Sequence, residues 1–177
     1  MSELSEAMIV NAVVLATVLA TDLGPARKIG RGRLLRPLIA AAVIVPLFVR
    51  SPVTHGSGLV VEIAGVAAGV LAGLIAVAFM RVYRSPQTGK PVSRAGWPYA
   101  AFWTLIIGAR AAFSWGAAHW FTSDLVAWCI AHQVSLAAIT DGLIFMAIVM
   151  VLVRTAGIGL RAAQLPATAR DLQDAVA

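Results

Sequence analysis

Charged residues and cysteines are scarce in this sequence. Of its 177 residues, 12% are charged and 60% are hydrophobic, and the mean hydropathy is +0.86. A soluble domain carries about twice this proportion of charge, so the composition indicates a membrane protein. The single cysteine, Cys129, excludes both an intramolecular disulfide and dithiol redox chemistry.

Recognisable metal, nucleotide and nucleic-acid motifs are also missing. Gly89-Lys90 lacks the earlier glycine and the following Ser or Thr of a phosphate-binding loop. The three histidines have a spacing that matches no metal motif. The net charge of +6 arises from bases that lie between apolar runs, without interleaved aromatic residues. We therefore expect no metal, no cofactor and no nucleic-acid partner.

Five apolar stretches approach the roughly 20 residues that a transmembrane helix needs. They cover 7–23, 34–49, 59–80, 97–121 and 133–153. The predicted fold class is all-α: a polytopic bundle of five transmembrane helices over residues 1–154, followed by a cytoplasmic tail over 155–177. Pro46 is expected to bend the second helix. The last helix has an alternative start near Ser123, which suits an N-cap.

Basic residues indicate the orientation of the bundle. Segments 24–37, 81–96 and 154–177 hold twelve of the fourteen bases and fall on one side of the predicted membrane. The positive-inside rule assigns this side to the cytoplasm, with the N-terminus outside and the C-terminus inside. Segment 81–96 is expected to be a turn-rich loop at the inner lipid headgroups.

An arginine lies near the middle of the fourth span. Charged residues in spans are costly and usually face the bundle and pair. Counted from the cytoplasmic edge at 1.5 Å per residue, Arg110 and Asp141 lie at depths of about 24 and 20 Å. We therefore expect Asp141 to neutralise Arg110. Two interpretations stay open: an ion pair that fixes helix register, and a pair that lines a polar pocket open to the outer side.

A second acid and several aromatic residues complete the candidate site. Glu62 lies near the outer end of the third span, as either an interfacial acid or a functional one. The aromatic residues are either membrane-interface belts or the walls of a pocket. Glu62 and Asp141 are the catalytic candidates. The candidate substrate-binding residues are Arg110, Asp141, Glu62, Trp103, Phe113, Trp115 and Trp120.

Glycines recur at four-residue spacing along the third span. Gly65, Gly69 and Gly73 share one helical face, and this doubled G-x-x-x-G pattern lets a neighbouring backbone approach closely. The pattern predicts that this face packs against another helix.

One stretch carries a family resemblance. It contains Tyr83-Arg84, Thr88-Gly89 and Arg94-Ala95-Gly96, followed by Trp103 and Arg110 in the next helix. This layout, over about residues 81–115, resembles the CcdC-like family of small bacterial integral membrane proteins. The resemblance implies a multipass protein of a bacterial plasma membrane and brings no catalytic residues. The chain departs from the thiol chemistry that the family name evokes, because it has no C-x-x-C motif.

Two classes of function remain open. The first is a non-enzymatic protein that binds or passes a small apolar or amphipathic molecule, or that assists a membrane partner. The alternative is a membrane-embedded enzyme acting on a lipid-like substrate, such as an acid-initiated terpene cyclase. Such an enzyme needs a protonated acid, which Glu62 or Asp141 would supply, and aromatic faces that stabilise carbocations. The expected partners are the lipid bilayer, a small apolar molecule, and a second copy or another membrane protein.

Overall fold

The protein is mostly helical, with a small antiparallel sheet at one end. The computed structural model describes residues 12, 15, 16, 18–20, 22, 23, 26–48 and 56–166. The described residues between 12 and 22 are helical. The later helices are α1 (Arg31–Phe48), α2 (Ser57–Ala78), α3 (Trp97–His119), α4 (Thr122–His132) and α5 (Leu136–Ala163). The strands are β1 (Arg27–Lys28), β2 (Met80–Arg84) and β3 (Pro91–Ala95).

Within the described ranges, two helices are long and apolar enough to cross a membrane. They are α2 and α5. The windows that show this are the most apolar 18-residue stretches of the two helices, which have mean hydropathies of 2.3 and 2.5. Only 33% and 22% of those windows are buried inside the protein, whereas a core helix of a soluble protein would be mostly buried. Large apolar side chains such as Val60, Leu71 and Leu160 are instead exposed. These outward faces suit a lipid environment.

The two apolar helices run in parallel and touch along their glycines. A β-carbon added to Gly65 would overlap the backbone of Gly142, and one added to Gly69 would lie 2.6 Å from the Met146 carbonyl oxygen. Farther along, Gly157 of α5 lies against Val77 of α2. Residues later in α2 contact residues later in α5, so the two helices run parallel to each other. The Gly65, Gly69 and Gly73 face is thus the face that α2 presents to α5.

The other predicted spans have different outcomes. Helix α1 lies over the second predicted span and helix α3 over the fourth, although neither passes the same test of length and apolarity. The first span, 7–23, lies largely outside the described residues. Helix α3 begins after Gly96, with Pro98 in its first turn, where a proline costs no hydrogen bond.

The predicted helical class is confirmed for most of the described residues, but the prediction that segment 81–96 is a turn-rich loop is wrong. This segment forms a hairpin of β2 and β3, and β1 adds to β3 to give a three-stranded antiparallel sheet of order β1-β3-β2. Alternating residues in β2 pack inward, with Met80 buried and Val82 partly buried, as the two-residue period of a strand requires. The hairpin turn uses Gly89 at a φ of 65°, which glycine adopts without strain.

The segment between the fourth and fifth predicted spans is a helix of its own. Helix α4 fills most of it and ends at Gln133, which takes a left-handed conformation. Helix α5 then starts afresh, with the Ser135 hydroxyl accepting a hydrogen bond from the Ala138 N–H at 3.1 Å. The alternative start of the last helix near Ser123 is therefore wrong. The helix also continues to Ala163, beyond the predicted end of the span.

Candidate functional site

Two carboxylates come together at one end of the α2–α5 pair, termed the acid end after Glu62 and Asp141. Each lies in the second turn of its helix, and the exposed fractions of Glu62 and Asp141 are 6% and 8%. The neighbouring residues Val61 and Gly142 are in direct contact, since a β-carbon on Gly142 would lie 3.2 Å from the Val61 carbonyl oxygen. The helix pairing therefore brings two acids into one buried environment.

The expected salt bridge between Arg110 and Asp141 is not formed among the described residues. Arg110 is half-buried in α3 and makes no side-chain hydrogen bond or salt bridge with a described residue. The two residues lie at similar depths, but α3 packs only sparsely on α5, whose main partner is α2. Depth along the bundle was therefore insufficient to predict the pair, because pairing also needs adjacent helices.

A buried salt bridge forms at the opposite end, termed the sheet end after β1–β3. Arg154 of α5 donates to the Asp22 carboxylate, which has further interactions as well, and both side chains are largely buried. The Tyr99 hydroxyl donates to the same carboxylate oxygen at 2.7 Å. The Arg154 guanidinium carbon also lies 5.5 Å from the centre of the Tyr99 ring, within the range of a cation–π contact. These three residues join the N-terminal region, α3 and α5.

Trp103 extends this polar cluster. Its ring lies 6.1 Å from the Tyr99 ring, and the side chain is buried. Within the described part of the chain, its indole N–H and the Arg154 Nε–H are buried without hydrogen-bond partners. Trp103 therefore belongs to the sheet end. From Asp141 to Arg154 the axis of α5 runs about 20 Å, so this tryptophan does not wall the acids.

The remaining aromatic candidates lie where α3 ends. Trp115 stacks on His119 at 5.0 Å and meets Trp120 edge-on at 4.6 Å, and Phe113 packs on Phe121. Trp115 and Phe113 are moderately exposed, and Trp120 is mostly exposed. An open pocket at this position is lined by His119, Trp120, Thr122, Ser123, Val126, Ala127 and Ile130. Neither Glu62 nor Asp141 lines it, so the aromatic residues and the acids do not share this pocket.

The sequence reading missed the Asp22–Arg154–Tyr99 cluster. Neither Asp22 nor Tyr99 is singled out as a site residue from the sequence, and Arg154 is counted only among the bases of segment 154–177. The available signal was that Asp22 is the only acid near the cytoplasmic ends of the predicted spans. A buried acid needs a cation, but the sequence does not select Arg154 from the many bases nearby.

Comparison with known proteins adds no family to these observations. No protein-family model matches the chain, and no curated protein or solved structure shows significant similarity to it. Among the described residues, no group of three or more His, Cys, Asp or Glu side chains is placed to hold a metal ion. The function is therefore argued from the acid end and from the arrangement of the helices.

Proposed function

We propose that the chain is a small multipass membrane protein that binds or passes a small amphipathic molecule at its acid end. The observation that carries the proposal is the burial of Glu62 and Asp141 together between two helices long and apolar enough to cross a membrane. Membrane helices rarely contain acids without a functional reason. Arg110 forms no salt bridge with Asp141 among the described residues.

The parallel α2–α5 pair supports a multipass topology. If two parallel helices both cross a membrane, the chain between them must cross back. Helix α3 is suited to this return, because its 23 residues span about 34 Å and the hydrocarbon core is about 30 Å thick. With α1 and the N-terminal helix as further spans, the topology has five crossings, an external N-terminus and a cytoplasmic C-terminus.

The sheet end supports the same sidedness. Strand pairing brings segments 24–37 and 81–96 together, with Arg27 opposite Ser93. Arg161 of α5 donates to the carbonyl oxygens of Val77 and Met80, so the described part of the basic segment after the last span lies at this end too. The three segments predicted to be cytoplasmic by their charge thus meet at one end of the molecule. A bacterial plasma membrane remains the location that the family resemblance implies.

The chemistry of the acid end selects the kind of ligand. Two carboxylates in one buried environment repel each other when both are ionised, and a cation between them relieves this repulsion. The surrounding helix faces are apolar. A molecule with an ammonium head and an apolar body therefore fits the site better than an anion or a fully apolar molecule.

A thermal-shift experiment on the purified protein in neutral detergent tests this proposal. Aryl-alkyl amines, the matched carboxylic acids and the matched alcohols are added below their micelle-forming concentrations. The amines should raise the melting temperature, because a ligand that binds only the folded state stabilises it. The Glu62→Gln/Asp141→Asn variant should lose this shift, whereas Asp124→Asn, which changes an exposed acid of α4, should keep it. An equal shift with the acids, or a shift retained in the double variant, would contradict the proposal.

A further inference from the structure

The sheet has an inward face and an outward face with opposite characters. Its inward face includes Met80, Val82 and Ala95, which pack on or within the core. Strand alternation puts Arg81 and Tyr83 of β2, Val92 and Arg94 of β3 and Lys28 of β1 on the other face. Val92 is buried at the middle of this face, and the other four side chains are exposed. The exposed part of the outward face therefore consists of three bases and one tyrosine.

Two of these bases lie directly opposite each other. Arg81 pairs with Arg94 in the β2–β3 register, and Lys28 pairs with Val92, which puts Lys28 on the diagonal from Arg94. Side chains directly opposite in an antiparallel pair have β-carbons about 4.5–5.5 Å apart, and like charges in this position are destabilising. An anion bound between the two guanidinium groups would remove this repulsion.

Four other bases at the sheet end are engaged within the protein. Arg84 donates to the carbonyl oxygens of Pro166 and Gly89, and Arg27 donates to that of Ala20. Arg154 and Arg161 are held as described above. In contrast, Lys28, Arg81 and Arg94 make no side-chain hydrogen bond or ion pair with any residue that the structure describes.

The described acids do not neutralise these three bases. Asp22 is buried against Arg154, Glu62 and Asp141 lie at the acid end, and Asp124 lies on α4. The described part of the chain thus contains no counter-charge for the outward face. With respect to the described residues, these three bases therefore lack an anionic partner.

Aromatic side chains mark the depth of the sheet relative to a membrane. Trp97, which is 78% exposed, starts α3 directly after β3, and the exposed Phe79 links α2 to β2. Tryptophan is enriched where the hydrocarbon core meets the headgroups. The sheet follows immediately beyond these residues, which is the level of lipid phosphates.

We infer that the outward face formed by Lys28, Arg81 and Arg94 binds the phosphate of an anionic phospholipid headgroup. Guanidinium groups match phosphate oxygens with paired hydrogen bonds, and a lysine adds a point charge. Anionic lipids of the cytoplasmic leaflet attract clustered bases next to membrane helices. This site is separate from the acid end, so either proposal stands or fails without the other.

The test measures thermal stability and lipid retention of the full chain in neutral detergent. Added phosphatidylglycerol should raise the melting temperature by about 3 °C or more, and phosphatidylcholine should not. Native mass spectrometry should show phosphatidylglycerol retained on the protein. The Arg81→Gln/Arg94→Gln variant should lose both effects, and in detergent alone it should melt no lower than the parent, because a repulsion has been removed.

Lys90→Gln is the matched control, since Lys90 is an exposed base of the same hairpin beyond the strand pairing. This variant should keep the response to phosphatidylglycerol. Inorganic phosphate at the same concentration should give no shift, and a shift as large as that of the lipid would overturn the assignment to a lipid headgroup. Equal responses to the two lipids, or a full response in the double arginine variant, would overturn the site itself.

Discussion

Gly69 of α2 lies against the backbone of Met146 in α5, so closely that a β-carbon at position 69 would be 2.6 Å from the Met146 carbonyl oxygen. Real β-carbons do not approach an oxygen this closely. The parallel helix pair therefore depends on the absence of a side chain at this position, as in membrane helices that associate through small residues.

Replacing Gly69 with alanine should lower the stability of the protein. The helices would have to separate, and overpacking of this kind typically costs about 1–3 kcal/mol. The measurement is the melting temperature in neutral detergent. Gly108→Ala is the matched control, because a β-carbon at Gly108 of α3 meets nothing within 4 Å. This control should be neutral or slightly stabilising, since alanine is the better helix former. Equal losses in both variants would contradict the packing.

The buried Asp22–Arg154 salt bridge should be strongly coupled. Asp22→Ala removes the anion that the Arg154 guanidinium binds, and Arg154→Met removes a cation from the buried carboxylate, so each change should cost about 3–5 kcal/mol. The double variant should cost much less than the sum, because no buried charge is left alone. A double-mutant cycle on thermal stability measures this coupling. Additive losses would show that the two residues act independently.

Arg110 and Asp141 should show the opposite behaviour. Since the structure forms no salt bridge between them, the losses caused by Arg110→Ala and Asp141→Ala should add to within about 0.5 kcal/mol. The same double-mutant cycle provides the measurement, with the Asp22–Arg154 cycle as its positive control. A coupling as large as in that control would restore the pairing expected from their matching depths.

Cysteine labelling in whole cells tests the proposed topology. In a Cys129→Ala background, a cysteine at the exposed Ser57 should react with an impermeant reagent added outside. A cysteine at Thr88, exposed in the hairpin turn, should react only after permeabilisation. Thr88 is preferred to Ser93 of the same hairpin as the labelling position, because Ser93 is buried. Labelling in the reverse pattern would contradict the proposed orientation.

The apolar helices and their glycine face follow from local sequence. Helix α2 is an apolar run interrupted after its first residue only by Glu62, and its glycines recur at the spacing of one helical face. Both features are therefore encoded within the 22 residues of this helix. The sheet was missed for a local reason as well. Its strands are only two to five residues long. Strand β1 pairs with β3, which lies more than sixty residues later in the chain, and a short stretch of sequence cannot reveal such a distant pairing.

Tertiary structure alone decided which charges meet. From the sequence, Arg110 and Asp141 had matching depths, and Asp22 and Arg154 were merely two charges near the cytoplasmic side. Depth depends on the 1.5 Å rise per residue and can be counted along a helix. Lateral neighbours depend on which helix faces interlock. Here the glycines of α2 hold α5 in parallel, which brings Asp141 beside Glu62 rather than Arg110, and Arg154 is left to bind Asp22 at the other end of the same helix.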